Sequence, residues 1–187
     1  MKPLGLLQRL IARRRVGGIN RAPWPLLARS TPWLSIMLAS LLPTMPMNAA
    51  APVMPPFGLM VLVAWIQIRP GVLPVWAGLP LGAFDDLYSG QPFGSAILLW
   101  SLTVIALDVI ELRIPWRNYL IEWLTGAALV CACLVAMLTF ANATGGQTPL
   151  MVIVPQLIIT ALLYPAIGSL AGALDRFRLI PIMDLGE

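Results

Sequence analysis

Two adjacent carboxylates, Asp85 and Asp86, lie inside an apolar stretch, and the glycines around them decide how they are presented. Gly78, Gly82 and Asp86 follow one another at i, i+4 spacing, so on a helix they share one face. That face is a smooth stripe on which a second helix can pack closely, and it ends in a carboxylate. Asp85 lies about 100° away around the same helix. Ser89-Gly90 supplies an exit turn, and Pro92, ahead of Phe93-Gly94, suits the first turn of the next helix, where its missing N–H is no loss. A carboxylate placed there can face the positive N-terminal end of that helix. Alternatively it makes a polar contact with a partner or lines a transport path, the default functional reading of an ionisable group in a membrane segment. For Asp86 both readings stand, with a partner-supplied cation as the functional one; Asp85 is expected to be hydrated.

The rest of the reactive inventory is thin. There is no histidine, which removes histidine metal sites, Ser-His-Asp triads and histidine proton shuttles. Cys131 and Cys133 are two apart in an apolar run, so on a helix they point to nearly opposite faces and read as small apolar fillers, with no cofactor or metal implied. Asp108 and Glu111, followed by Arg113 and Arg117, read as a local salt-bridge cluster at a helix end. Gly168 and Gly172 form a second small-xxx-small face, for internal packing or for a partner, with Pro165 marking a kink. Mid-helix polar residues are few: Gln67, Thr103, Gln156, Thr160 and Tyr164.

The elements that must hold these residues follow from composition. Of 187 residues, 59% are hydrophobic and 11% charged, with a mean hydropathy of +0.85, which excludes an ordinary soluble domain. Apolar runs recur, and six membrane helices are expected, at 33–51, 53–68, 72–87, 92–110, 120–141 and 150–174. The chain therefore divides into a basic N-terminal segment 1–32, a six-helix membrane domain 33–175 and a short tail 176–187. Lys2, Arg9, Arg13, Arg14, Arg15, Arg21 and Arg29 precede the first helix, and Arg69, Arg113, Arg117, Arg176 and Arg178 fall in alternate breaks or after the last helix. Six crossings put all twelve basic residues on one side, so the positive-inside rule places both termini in the cytoplasm. The net charge of +4 thus reports topology and gives no support to nucleic-acid binding. Trp33, Trp65, Trp76 and Trp123 fall toward the same helix ends, as interfacial tryptophans do, and Trp100 is mid-helix, a filler.

Leu4, Leu6, Leu7, Leu10 and Ile11 cover one side of a helical wheel before Arg13, Arg14 and Arg15, a pattern for a short interfacial helix against anionic lipid or a cytoplasmic partner. The first apolar segment also resembles a secretory signal, but its basic lead is too long and Pro52 follows the Ala49-Ala50-Ala51 stretch, so it is expected to stay uncleaved.

The Gly78-to-Gly94 stretch, Trp65-Ile66-Gln67-Ile68-Arg69-Pro70 before it, and Tyr164-Pro165-Ala166-Ile167-Gly168 with Asp175-Arg176 after it together resemble the bacterial rod shape-determining protein MreD family. The family's small and acidic positions fall on Gly78, Gly82, Asp86, Gly90 and Gly94. Asp85 departs from its pattern, in which an apolar residue commonly precedes the acid. The resemblance implies a non-enzymatic inner-membrane subunit of the cell-elongation complex, acting beside MreC, the actin-like MreB, RodA and the elongation-specific transpeptidase. It also implies a fold similar to the substrate-binding subunits of energy-coupling-factor importers, which makes a small-solute-binding importer subunit the rival reading.

Overall fold

The computed structural model describes residues 21–22, 25–44, 54–90, 92–113, 118–179 and 183–184. Among the described residues six helices follow in order: α1 (Pro25–Leu41), α2 (Phe57–Ile68), α3 (Gly78–Ser89), α4 (Ser95–Arg113), α5 (Tyr119–Ala143) and α6 (Val154–Arg178). Arg21–Ala22 pairs antiparallel with Met183–Asp184, which brings the two ends of the described chain together. Arg13, Arg14, Arg15, the amphipathic segment before them and Arg117 lie outside the described residues.

Three helices, α4, α5 and α6, are long and apolar enough to cross a membrane. Their outer surface is inverted relative to a soluble protein. Leu98, Leu102, Ile105 and Val109 recur every three or four residues along α4 and are all exposed, an apolar stripe that water would disfavour and lipid accepts. The other three helices are shorter than the expected spans. α2 has 12 residues, about 18 Å at 1.5 Å per residue against a hydrocarbon core of about 30 Å. Its sequence FGLMVLVAWIQI has no polar face until Gln67, and every residue from Gly58 to Gln67 is buried, as expected of a helix that is apolar all round. It touches α1, α4, α5 and α6, so it is the centre of the bundle. Trp65, Leu59, Leu62 and Val63 on α2 pack with Ile36 of α1, Leu81 of α3, Trp100 of α4 and Val130 of α5 as the core.

Two interior prolines are absorbed in the same way. α1 begins eight residues before Trp33, the expected start, and carries the buried Pro32 in its interior. A proline at this position has no N–H for the carbonyl four residues back, Ala28. The Arg178 guanidinium of α6 donates to that carbonyl. In α6, Pro165 frees the carbonyl of Ala161, and Trp123 Nε1 of α5 donates to it at 3.0 Å. Neighbouring helices thus satisfy backbone groups that proline leaves open, the condition for keeping proline inside membrane helices. Trp65, expected toward a surface, is fully buried at its helix end and donates from Nε1 to Ser35 Oγ at 2.9 Å.

Candidate functional site

The stripe of Gly78, Gly82 and Asp86 is the seam of the α3–α4 hairpin. A Cβ on Gly78 would lie 2.7 Å from the backbone of Ser101, and one on Gly82 would lie 2.7 Å from Ala96 O and Ile97 Cα. Nothing larger than hydrogen fits at either position without moving α4. One turn further, Asp86 is 5% exposed and receives the first N–H groups of the same helix: Gly94 N at 2.8 Å and Ala96 N at 2.9 Å, with longer contacts from Ile97 N at 3.3 Å and Ser95 Oγ at 3.4 Å. These donors have no partner inside their own helix, and a carboxylate is the group best suited to take them. The turn between the helices is shaped to allow it. Gly90 ends α3 at φ 68°, and Gly94 reaches φ 99°, a conformation that turns its N–H onto the carboxylate and that a side chain would strain. Because of this turn α4 starts at Ser95, so Pro92 lies before the helix instead of in its first turn, with Pro92 O accepting from Ser95 N. The reading in which a partner's cation neutralises Asp86 is corrected accordingly: the carboxylate is buried and fully engaged by its own chain.

Asp85, expected to be hydrated, is half-buried and lines a cavity of about 260 Å3 with Ser40, Tyr88, Ser89 and Gln156. This is the end of the bundle away from the basic residues. Ser40 is buried, and its hydroxyl faces Asp85 without closing a hydrogen bond of ordinary length. Gly58 leaves room for the Ser40 hydroxyl, since a Cβ there would overlap its oxygen. Gln156 Nε2 closes one wall by donating to Met54 O at 2.6 Å.

The opposite end holds a charged network that the sequence reading did not single out. Asp175 accepts from Arg69 Nε at 2.9 Å and pairs with Arg178 at 2.7 Å, tying the end of α2 to the end of α6. Arg178 is 5% exposed, lies 4.9 Å over the Trp65 ring and reaches the carbonyl freed by Pro32. It had been assigned to a tail beyond residue 175, yet α6 runs to Arg178 and the side chain is internal. The i, i+3 spacing of Asp175 and Arg178 was a visible signal. Arg69, 106 residues away, was not. Asp108 and Glu111 form no ion pair with Arg113 among the described residues, and Arg117, the fourth member of the expected cluster, lies outside them.

Most of the mid-helix polar residues find each other or backbone. Tyr164 donates to Gln67 Oε1, and Gln67 Nε2 donates to Glu122 O at 3.0 Å and Thr125 Oγ1 at 3.1 Å, joining α2, α5 and α6. Tyr164 can lie this close because α5 presents Gly126, whose Cβ would overlap the phenol. Thr103 donates to Leu99 O and contacts Cys133 Sγ at 3.1 Å, and both cysteines are free. Thr160 is fully buried without a partner. Gly168 and Gly172 differ from the α3 glycines: a Cβ on either would meet nothing within 4 Å. They border a cleft of about 230 Å3 between α5 and α6, floored by Gln67 and Tyr164.

Comparison with curated proteins and with solved structures gave no match. Comparison with protein families matched one, described as rod shape-determining protein MreD, over residues 27–167, which takes in the whole α3–α4 seam, the prolines at 32 and 165 and the Gln67–Tyr164 bond. The chain belongs to the rod shape-determining protein MreD family, whose role is in determining rod shape and whose members are structural membrane proteins.

Proposed function

We propose that the protein is a non-enzymatic inner-membrane subunit of the cell-elongation complex, helping to assemble or regulate peptidoglycan synthesis through contacts with an MreC-like protein and the wider complex of MreB, RodA and the elongation-specific transpeptidase. All six helices cross the bilayer in this reading, the short α2 and α3 shielded from lipid by their neighbours, with both termini cytoplasmic as the placement of Lys and Arg requires. Arg13, Arg14 and Arg15 contact anionic lipid at the cytoplasmic surface. Gly168 and Gly172 offer an open face to a partner helix, while Gly78, Gly82, Asp86, Gly90 and Gly94 serve the α3–α4 hairpin.

The observation that carries this reading is the use made of polar groups inside the bundle. Gln67, Tyr164, Asp86 and Trp123 bond to one another or to backbone outside their own helix, and Thr103 contacts Cys133 Sγ of α5, which fixes helix against helix. A solute site needs the opposite, convergent polar groups left available within one pocket of about 300–1,000 Å3, and the cavity that does hold such groups, beside Asp85, measures only about 260 Å3. Affinity purification of the full chain in mild detergent, with proteins and small molecules both identified, tests the proposal. An MreC-like protein in near-equal amount is expected. A retained small solute with no such protein would favour the importer subunit instead.

A further inference from the structure

From the cavity at the end of the bundle away from the basic residues, we propose that Asp85 and Ser40 form a socket for a lysine or arginine side chain from an extramembrane segment of a partner membrane protein. The inference rests on the scaffold reading above and names the chemistry of one contact within it.

Three observations carry it. The first is an uncompensated charge. The three connections at this end, residues 42–56, 90–94 and 144–153, contain no Lys or Arg at all, so the chain supplies no cation to Asp85. Asp86 next to it is occupied by four donors at the start of α4, whereas Asp85 is faced only by the Ser40 hydroxyl, at no ordinary hydrogen-bond length, and joins no ion pair among the described residues. A carboxylate held partly out of water is disfavoured unless a counter-charge or donors meet it. The second is an unsatisfied donor and acceptor in the same cavity. Ser40 is 5% exposed, and its hydroxyl faces Asp85 without closing a hydrogen bond of ordinary length to any group. Buried hydroxyls are nearly always bonded, so this one marks a place where a polar group is missing. The third is shape. The cavity measures about 260 Å3, below the roughly 300–1,000 Å3 of small-molecule sites, and it is of a size to admit one long side chain. Its walls suit such a guest: Met137 and Leu134 flank the stem, while Asp85, Ser40 and Tyr88 take the head. An ammonium or guanidinium is a donor-only group, and it matches a carboxylate plus a hydroxyl able to accept.

The test compares the full-length wild type with Asp85→Asn, Asp85→Glu and Asp85→Lys, using recovery of the membrane partner that copurifies with wild type in mild detergent, together with melting of each chain alone. Asp85→Asn is expected to lower recovery several-fold and Asp85→Lys at least ten-fold, while Asp85→Glu retains most of it. Melting of Asp85→Asn alone should be unchanged or higher, since the change removes an unneutralised charge. Wild-type recovery should fall as salt is raised, and the residual recovery of Asp85→Asn should not. Equal recovery for wild type and Asp85→Asn overturns the socket while leaving the scaffold reading intact, whereas failure of wild type to recover any partner overturns the scaffold reading itself. Lower melting of Asp85→Asn would make the carboxylate a structural group, which also overturns the proposal. Loss of copurified phosphatidylethanolamine in Asp85→Asn with partner recovery unchanged would assign the socket to a lipid amine, again against it.

Discussion

Asp85 and Asp86 are neighbours in sequence and differ in almost every physical respect. Asp86 caps α4 through four N–H and O–H donors, and Asp85 faces a cavity in which only the Ser40 hydroxyl turns toward it. Asp86→Asn keeps the size but replaces one acceptor oxygen by a donor amide, which then faces N–H groups. A loss of about 1.5–3 kcal/mol is expected, the range for buried hydrogen bonds to a charged group, visible as lower melting of the chain alone in detergent. Partner recovery per folded molecule should stay at the wild-type level. The reverse pattern, normal melting with lost recovery, would restore the partner contact to Asp86. From sequence, the two readings of this carboxylate were both open because i, i+4 spacing says which face a residue is on but not what lies against it. Only the position of Gly94 and Ala96 N–H groups decides that, and it depends on two left-handed glycines whose conformation a sequence suggests and does not fix.

At the level of elements, glycines that look alike in spacing do different work. Gly82 has α4 backbone 2.7 Å from a would-be Cβ and Gly168 has nothing within 4 Å. Gly82→Leu should therefore reduce the amount of folded protein in membranes sharply, while Gly168→Leu should leave folding intact and reduce recovery of a partner. Proline offers a second test. Trp123→Phe leaves the Ala161 carbonyl without its donor, at a cost of about 1–3 kcal/mol. Pro165→Ala restores a backbone N–H to that same carbonyl, so the double variant should be more stable than Trp123→Phe alone. Melting of the four proteins in detergent measures the coupling, and strictly additive effects would show that the tryptophan is not compensating the proline. The all-helical class was legible because long apolar runs leave few alternatives, although only three helices are long and apolar enough to cross a membrane. Boundaries were less so: Pro32 reads as a helix boundary until Arg178, 146 positions away, is seen on the carbonyl it frees, and no local pattern carries that information.

For the whole molecule, the charges sort by end. Among the described residues, Arg69, Asp175 and Arg178 lock one end, and the other carries Asp85, Asp86 and no basic residue. This segregation was fully readable from the positions of Lys and Arg, because it is a property of composition along the chain and needs no tertiary contact. Reporters placed after Arg69 and Glu187 should read cytoplasmic, and reporters between 144 and 147 periplasmic; a periplasmic C-terminus would remove the six-crossing topology. The central claim is that this bundle is a structural part of the rod-shape machinery. Its most direct test is removal of the protein from the bacterium that encodes it, with cell shape and the position of the MreC-like protein followed by microscopy. Cells are predicted to round up and the MreC-like protein to leave sites of elongation, with both restored by the wild-type chain. Rod shape maintained through many generations, together with loss of uptake of a small solute, would contradict it.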